Sequence, residues 1–115
     1  MRTLFAAAAS FTSLIACASP PPAADARAAQ AAGAPVIDVR TPDEWAAGHL
    51  EQSTLLPLPE LDRRLGEVLA LVGGDKTKPI VVVCRSGARA EQARALLLKS
   101  GFTDVKNAGS WNSLQ

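Results

Sequence analysis

The chain has 115 residues, which is enough for one small domain built from a single sheet and its covering helices. Its 12 basic and 11 acidic residues leave a formal net charge of +1. This near-neutral balance argues against nucleic acid or an anionic membrane surface as a partner held by bulk charge.

The first 16 residues have the pattern of a secretory signal peptide. Arg2 gives a short basic start, and an apolar or small-residue run follows over residues 4–16. The run is too short to span a bilayer, but it fits an export signal that is removed from the mature protein. Its removal leaves equal numbers of basic and acidic residues. We therefore expect the protein in the bacterial cell envelope, on the periplasmic side.

The end of this segment offers a site for a membrane anchor. Leu14-Ile15-Ala16-Cys17 resembles the lipobox of bacterial lipoproteins, in which cleavage precedes the cysteine and the cysteine receives the lipid. Cys17 would then be the mature amino terminus, and two or more acyl chains would hold the protein at the membrane. The alternative is an ordinary cleavage site near Cys17 and a soluble periplasmic protein.

Residues 17–34 are rich in alanine and proline and contain few large apolar residues. This composition predicts a disordered tether, which could hold the folded part up to about 50 Å from a membrane. A weak helix over residues 24–32, which would add an element to the fold, is the alternative.

The predicted domain, residues 35–115, contains four apolar stretches with the composition of β-strands. Residues 80–83 read Ile-Val-Val-Val without alternation, which is typical of a strand covered on both faces in a parallel sheet. The other predicted strands are residues 36–39, 53–58 and 102–106. Residues 107–110 are expected to form a loop before Trp111.

Helices are expected between these strands. The first begins with a capping-box signature, because Thr41 precedes Pro42 and Glu44 stands three residues after the threonine. The predicted helices cover residues 41–48, 59–72 and 91–99. The alternating order predicts an α/β fold with a central parallel sheet of about four strands and helices on both faces.

Cys84 stands where the central strand ends and the third helix begins. Open α/β sheets bind ligands at this position, and the N–H groups at the amino end of a helix can converge as an anion cradle. These N–H groups and the guanidinium groups of Arg85 and Arg89 would stabilise a thiolate, so Cys84 is a candidate nucleophile. The alternative is a buried inert thiol. The cradle residues, which are the candidate substrate-binding residues, are Arg85, Ser86, Gly87 and Ala88.

Four short motifs resemble those of the rhodanese family of sulfurtransferases. They are Asp38-Val39-Arg40, Glu44-Trp45, Gly48-His49-Leu50 and Cys84-Arg85-Ser86-Gly87-Ala88-Arg89. They occur in the order and at the distances expected for that family, over residues 36–111. With the export signal and the Asn107-Ala108-Gly109 ending, the chain resembles the small single-domain periplasmic rhodaneses of the phage-shock type.

The resemblance implies a covalent cycle. Cys84 would attack the outer sulfur of a donor such as thiosulfate, become a persulfide, and pass the sulfur to cyanide or a thiol. Arg89, which closes the loop, would supply positive potential for the persulfide and the departing sulfite. The expected partners are these small sulfur compounds. We expect no cofactor and a monomer, and the single histidine, His49, lacks the companions that a metal site needs.

Two other functions compete with this interpretation. Phosphatases and arsenate reductases that resemble this fold have a longer loop between cysteine and arginine, and the short loop from Cys84 to Arg89 disfavours them. The second alternative is an envelope-anchored binding or sensing module that uses the fold without efficient turnover.

The remaining motif residues have structural interpretations. Asp38, Arg40 and Glu44 are expected to form hydrogen bonds or ion pairs that hold the rim of the sheet together. His49 is expected to be structural. The two tryptophans, Trp45 and Trp111, are expected in the core.

Overall fold

Four parallel strands form the central sheet of the computed structural model, which describes residues 22–115. The strands are β1 (Val36–Asp38), β2 (Ser53–Leu55), β3 (Ile80–Cys84) and β4 (Val105–Ser110), in the spatial order β2-β1-β3-β4. The predicted α/β fold with a parallel sheet is confirmed. The predicted signal peptide, residues 1–16, and Cys17 lie outside the described residues.

Both faces of the sheet are covered, and β3 is buried along its whole length. One layer contains α3 (Leu65–Leu71) and α4 (Ala88–Lys99), and the other contains α1 (Pro22–Ala31) and the 3₁₀ helix Trp111–Leu114. Ile80, Val82 and Cys84 belong to the first core cluster, whereas Val81 and Val83 belong to the second. The unbroken apolar run of β3 therefore serves two cores, as its composition predicts.

The segment predicted as a disordered tether differs from that prediction. Within residues 17–34 the structure contains α1, which packs against β3 and β4 with Ala26 and Ala29 buried. Arg27 adds a side-chain hydrogen bond to the carbonyl oxygen of Ser113. Alanine has the highest helix propensity, and its small side chain lets a helix lie close to a sheet. The alanine content that suggested a tether is thus the composition of a docked helix, and the domain includes residues 22–34.

The first helix of the predicted domain forms as expected. In α2 (Pro42–Ala47) the N–H of Glu44 donates to Thr41 Oγ1 at 3.3 Å, and the N–H of Thr41 donates to Glu44 Oε1 at 3.1 Å. This reciprocal pair is a capping box. The capping box therefore holds the Glu44 side chain at the amino end of α2, which places its carboxylate at the rim of the sheet.

The predicted helix over residues 59–72 is divided in two. A 3₁₀ helix covers Leu58–Arg63, and α3 begins only at Leu65. The N–H of Leu58 donates to the carbonyl oxygen of Val39 at 3.1 Å, which ties the start of the segment to the residue that follows β1. The N–H of Arg64 donates to the carbonyl oxygen of Leu61 at 3.0 Å, the tighter bond of a 3₁₀ turn.

Among residues 22–115, no helix has the length and apolar character needed to cross a membrane.

The last strand lies further along the chain than predicted. β4 covers Val105–Ser110, so the predicted loop at residues 107–110 is part of the strand. The pairing with β3 shifts register between Val82 and Cys84, and Gly109 adopts a φ of 77° within this irregular stretch. The bulge lets turn-type residues continue a strand beside the end of β3.

Candidate active site

Cys84 is the last residue of β3, and its side chain is fully buried. It is a free thiol, and the N–H of Gly87 donates to its Sγ at 2.8 Å. Gly87 is the N-cap of α4, so the sulfur lies against the amino end of a 12-residue helix. The positive end of the helix dipole and this N–H therefore both face the sulfur.

Other N–H groups of the same loop are available for a ligand. The backbone N–H groups of Arg85, Ser86 and Ala88 have no hydrogen-bond partner among residues 22–115. The predicted cradle therefore has one N–H on the sulfur and three without an acceptor. Their role in binding substrate stays a prediction.

Gly87 holds this loop in a conformation that other residues rarely adopt. Its φ is 105°, and a Cβ at this position would lie 3.3 Å from the Cα of Gly109. The loop thus approaches β4 at backbone distance. The conformation and the close approach both require glycine here.

Asn107 connects this loop to β4. Its Nδ2 donates to the carbonyl oxygen of Gly87 at 3.0 Å, and its Oδ1 accepts from the N–H of Gly109 at 2.8 Å. The sequence predicts Asn107 in a loop and in the Asn107-Ala108-Gly109 motif, without a role of its own in the site. The available signal was its position after a buried strand, at the same sheet edge as Cys84.

The loop-closing arginine forms a two-pronged ion pair with α2. Arg89 Nη1 lies 2.6 Å from Glu44 Oε1, and Nη2 lies 2.9 Å from Oε2. The hydrogen bonds from Arg89, with further help from the Thr41 N–H, lower the pKa of Glu44 from 4.5 to about 2. The same pair raises the pKa of Arg89. The expected rim role of Glu44 is confirmed. The Arg89 charge, which was expected to act on the sulfur, is paired with the Glu44 carboxylate.

A second ion pair lies below the rim and is buried. Arg40 Nε lies 2.9 Å from Asp38 Oδ1, and Nη2 lies 2.7 Å from Oδ2. Nη2 also donates to the carbonyl oxygen of Gly48 at 2.7 Å, which joins the end of β1 to the end of α2. The pair thus fixes the end of β1 relative to α2, the helix that contains Glu44. This agrees with the expected structural role of Asp38 and Arg40.

A cavity of about 240 Å³ opens beside the loop. Its lining residues are Arg40, Glu44, Ala47, Arg85, Ser110, Trp111 and Asn112. The Arg85 side chain is exposed and forms no ion pair within residues 22–115. In the part of the chain that the structure describes, the Arg85 guanidinium is thus an unpaired positive charge beside the cavity and next to the predicted cradle.

The two tryptophans differ in their packing, because only Trp111 lies against a core cluster among residues 22–115. Trp111 is half-buried, and the guanidinium carbon of Arg40 lies 4.8 Å from its ring centroid. Trp45 is also half-buried and stacks on His49 with 3.7 Å between ring centroids. His49 Nδ1 donates to the carbonyl oxygen of Trp45 at 2.8 Å, which is consistent with its expected structural role. The prediction of core positions is therefore partly confirmed for Trp111 and wrong for Trp45.

The sequence matches one family model and is similar to known proteins. The family model for the rhodanese-like domain matches residues 22–115. The chain is 33% identical over 73 residues to the thiosulfate sulfurtransferase PspE of Escherichia coli, covering 64% of this chain and 66% of that protein. It is 36% identical over 72 residues to a sulfurtransferase of Allochromatium vinosum, covering 63% of this chain and 62% of that protein. The matches thus span about two thirds or less of these relatives' lengths.

Solved structures show the same likeness. A structure described as a rhodanese with anions from Escherichia coli superposes with a TM-score of 0.61 at 30% identity, over 69% of this chain and 88% of that one. A human single-domain sulfurtransferase superposes with a TM-score of 0.65 at 29% identity, over 78% of this chain and 88% of that one. The architecture described above is that of both structures.

Proposed function

The chain belongs to the rhodanese-like domain family, and on that premise we propose that it is a sulfurtransferase that carries a sulfane sulfur atom on Cys84. The observation that supports this proposal most strongly is the position of Cys84 Sγ at the end of β3, with the Gly87 N–H 2.8 Å away. Three further N–H groups of the same loop have no partner within the described residues 22–115. The names of the two sulfurtransferase relatives support the same activity.

The first half of the proposed reaction loads the sulfur. The Cys84 thiolate attacks the outer sulfur of thiosulfate, a new bond forms between Sγ and that sulfur, and the bond between the two thiosulfate sulfurs breaks. Sulfite leaves with the electron pair of the broken bond. The terminal sulfur of the resulting persulfide carries a negative charge, which the free N–H groups of Ser86 and Ala88 can stabilise.

The second half returns the enzyme to its starting state. Cyanide attacks the terminal sulfur of the persulfide, thiocyanate leaves, and the electron pair of the broken bond restores the Cys84 thiolate. A thiolate acceptor takes the sulfur in the same way and becomes a persulfide itself. Two half-reactions on one nucleophile predict ping-pong kinetics without a cofactor.

Access to Cys84 constrains this mechanism. Because the side chain is fully buried, loop residues 85–88 must move before a donor reaches Sγ. Arg85 belongs to the loop and also lines the cavity. Its exposed guanidinium suits the anionic end of thiosulfate. The proposal therefore gives Arg85 a role in binding the donor and Arg89 a role in holding the loop.

Thiocyanate formation from thiosulfate and cyanide tests the activity. Wild-type protein is expected to turn over, and Cys84→Ser is expected to fall to background because the alcohol is a far weaker nucleophile. Arg63→Ala, which removes an exposed charge from the 3₁₀ helix Leu58–Arg63, is the control and is expected to match wild type. Equal rates for wild type and Cys84→Ser would contradict the proposal.

One observation favours a second candidate, a binding or sensing module without efficient turnover. Cys84 is buried, and Arg89 is engaged with Glu44, so the loop is closed in this structure. A folded wild-type protein that gives no thiocyanate with any sulfane donor would favour this alternative.

We also propose export and lipid attachment at Cys17. The lipobox-like sequence before Cys17 supports the attachment site. Since α1 begins at Pro22, the chain from Cys17 to the folded part can reach at most about 18 Å, so an anchored domain would stay close to the membrane. The intact mass of protein isolated from the envelope tests this proposal. A lipid-bearing amino terminus at Cys17, absent in Cys17→Ser, is expected, and an unmodified terminus elsewhere would contradict it.

A further inference from the structure

We propose that Asn107 is a positioning residue of the sulfur-transfer site, which holds the peptide between Gly87 and Ala88 so that the loop N–H groups face the sulfur. The inference rests on the proposed function, because it assigns a role within that site. Within the described residues, Asn107 forms no hydrogen bond with Cys84 and does not line the cavity, so it would act through the loop.

All the hydrogen-bonding groups of the Asn107 side chain are in use. Nδ2 donates to the carbonyl oxygen of Gly87 at 3.0 Å and to Glu91 Oε2 at 3.1 Å. Oδ1 accepts from the N–H of Gly109 at 2.8 Å. A rotated amide would place its oxygen against two acceptors, so these partners define one orientation. The side chain thereby joins β4 to the first turn of α4.

The held peptide is the one that presents a free N–H. The carbonyl oxygen of Gly87 accepts from Asn107 and also from the N–H of Glu91 at 2.9 Å. In a planar trans peptide the N–H points opposite to the carbonyl oxygen. The Ala88 N–H therefore points away from these two donors, beyond the amino end of α4. That N–H has no partner among residues 22–115. Hydrogen bonds to the carbonyl also polarise the peptide and strengthen its N–H as a donor.

The same contact stabilises the unusual conformation of Gly87. With φ at 105° and Gly109 at close range, this residue directs its N–H onto Cys84 Sγ and its carbonyl onto Asn107. Loss of the Asn107 amide would leave the carbonyl with the Glu91 N–H and remove this link between the loop and β4. The expected consequence is a less well-defined cradle around an intact sulfur.

Asn107→Asp tests the proposal with a nearly isosteric change. The introduced carboxylate keeps an oxygen for the Gly109 N–H but cannot donate to Gly87 and adds a negative charge near Glu91. Gln92→Glu is the matched control, because it adds the same charge on the exposed side of α4 next to Glu91. We expect kcat with thiosulfate to fall roughly tenfold in Asn107→Asp relative to Gln92→Glu, with KM within about twofold. This loss is smaller than the roughly 10²–10³-fold cost of deleting a donor outright.

Two further readouts separate positioning from a purely structural role. Alkylation of Cys84 by iodoacetamide is expected to be faster in Asn107→Asp than in Gln92→Glu, because a less firmly held loop exposes the buried sulfur more often. As the pH falls below about 5, the introduced carboxyl becomes protonated and can donate to the carbonyl oxygen of Gly87. The difference in kcat between Asn107→Asp and Gln92→Glu should then become smaller. A folding defect alone would not produce this recovery at low pH.

The outcomes distinguish this inference from the proposed function. Absence of turnover in wild type would overturn the proposed function, while the alkylation rates still decide the role of Asn107. Asn107→Asp rates that match Gln92→Glu at every pH would overturn the inference. If Asn107→Asp does not fold, Asn107→Ala is measured in the same way. Wild-type kcat in Asn107→Ala, or failure of both variants to fold, would likewise overturn a positioning role.

Discussion

The two ends of the loop between β3 and α4 differ in how they are held. At the α4 end, Asn107 binds the Gly87 carbonyl and Glu44 binds Arg89 through two hydrogen bonds. At the β3 end, Arg85 and Ser86 are exposed, and neither has a hydrogen-bond or ion-pair partner within the described part of the chain. We call the α4 side the held end of the loop and the β3 side its open end. The difference indicates that the held end sets the geometry around the sulfur and that the open end binds the substrate.

Gly87→Ala should break the held end most severely. The new Cβ would require a φ of 105° from an L-residue and would lie 3.3 Å from the Gly109 Cα. We expect turnover to fall by about 100-fold or more, with a loss of unfolding free energy of about 1–3 kcal/mol. Both are measured by thiosulfate kinetics and urea unfolding.

Gly33→Ala provides the control for Gly87→Ala. Gly33 has a φ of 100°, but a Cβ there meets no atom within 4 Å. It should therefore lose stability through strain alone and keep wild-type turnover below its melting temperature. Equal activity losses in the two variants would show that the held end has no special role.

Removal of the Arg89 guanidinium is the next largest expected effect. Arg89→Ala frees Glu44 and removes the second contact that holds the α4 end, so kcat should fall by roughly 10- to 100-fold. Arg89→Lys retains the charge but cannot form the two-pronged pair, and we expect it to recover little of the loss. Full recovery by lysine would show that charge, and not geometry, is what Arg89 supplies.

Arg85→Ala tests the open end. Because Arg85 is exposed and unpaired among the described residues, its removal should raise the KM for thiosulfate by about tenfold and change kcat less than twofold. High salt should raise the wild-type KM toward that of the variant. Arg63→Ala should leave KM unchanged. A fall in kcat at constant KM would place Arg85 in the held part of the loop.

The smallest expected effect is the pH dependence of the Glu44–Arg89 pair. The folded pKa of Glu44, about 2, lies below its ordinary value of 4.5, so the stabilisation is fully present above pH 4.5 and is lost as the pH falls toward 2. Wild type should exceed Glu44→Gln in unfolding free energy by about 1 kcal/mol or less near neutrality, since the pair is partly exposed. This difference should shrink on acidification in urea titrations. A difference that stays constant from pH 6 to pH 2 would contradict the ion-pair account.

Sequence patterns predicted the parts of the molecule that depend on neighbouring residues. Four consecutive β-branched residues directly before Cys84 are enough to predict a central strand and a loop at its carboxyl end. The capping box of α2 is likewise contained within Thr41 to Glu44. These local signals placed Cys84 correctly at the junction of β3 and α4.

Features that depend on distant partners were missed or only partly predicted. The composition of α1 suits either a tether or a helix, and only its packing on β3 and β4 decides between them. Asn107 and Gly109 have turn-forming preferences, which the pairing with β3 and the Asn107 hydrogen bonds override. Glu44 was expected in an ion pair, but its partner lies 45 residues away, and local patterns do not identify such a partner.

The mass of the protein after exposure to thiosulfate tests the central claim most directly. We predict that wild type gains the mass of one sulfur atom on the peptide that contains Cys84, and that cyanide removes it as thiocyanate is released. Cys84→Ser should gain nothing. A folded wild-type protein whose Cys84 stays unmodified by thiosulfate and by other sulfane donors would contradict the account.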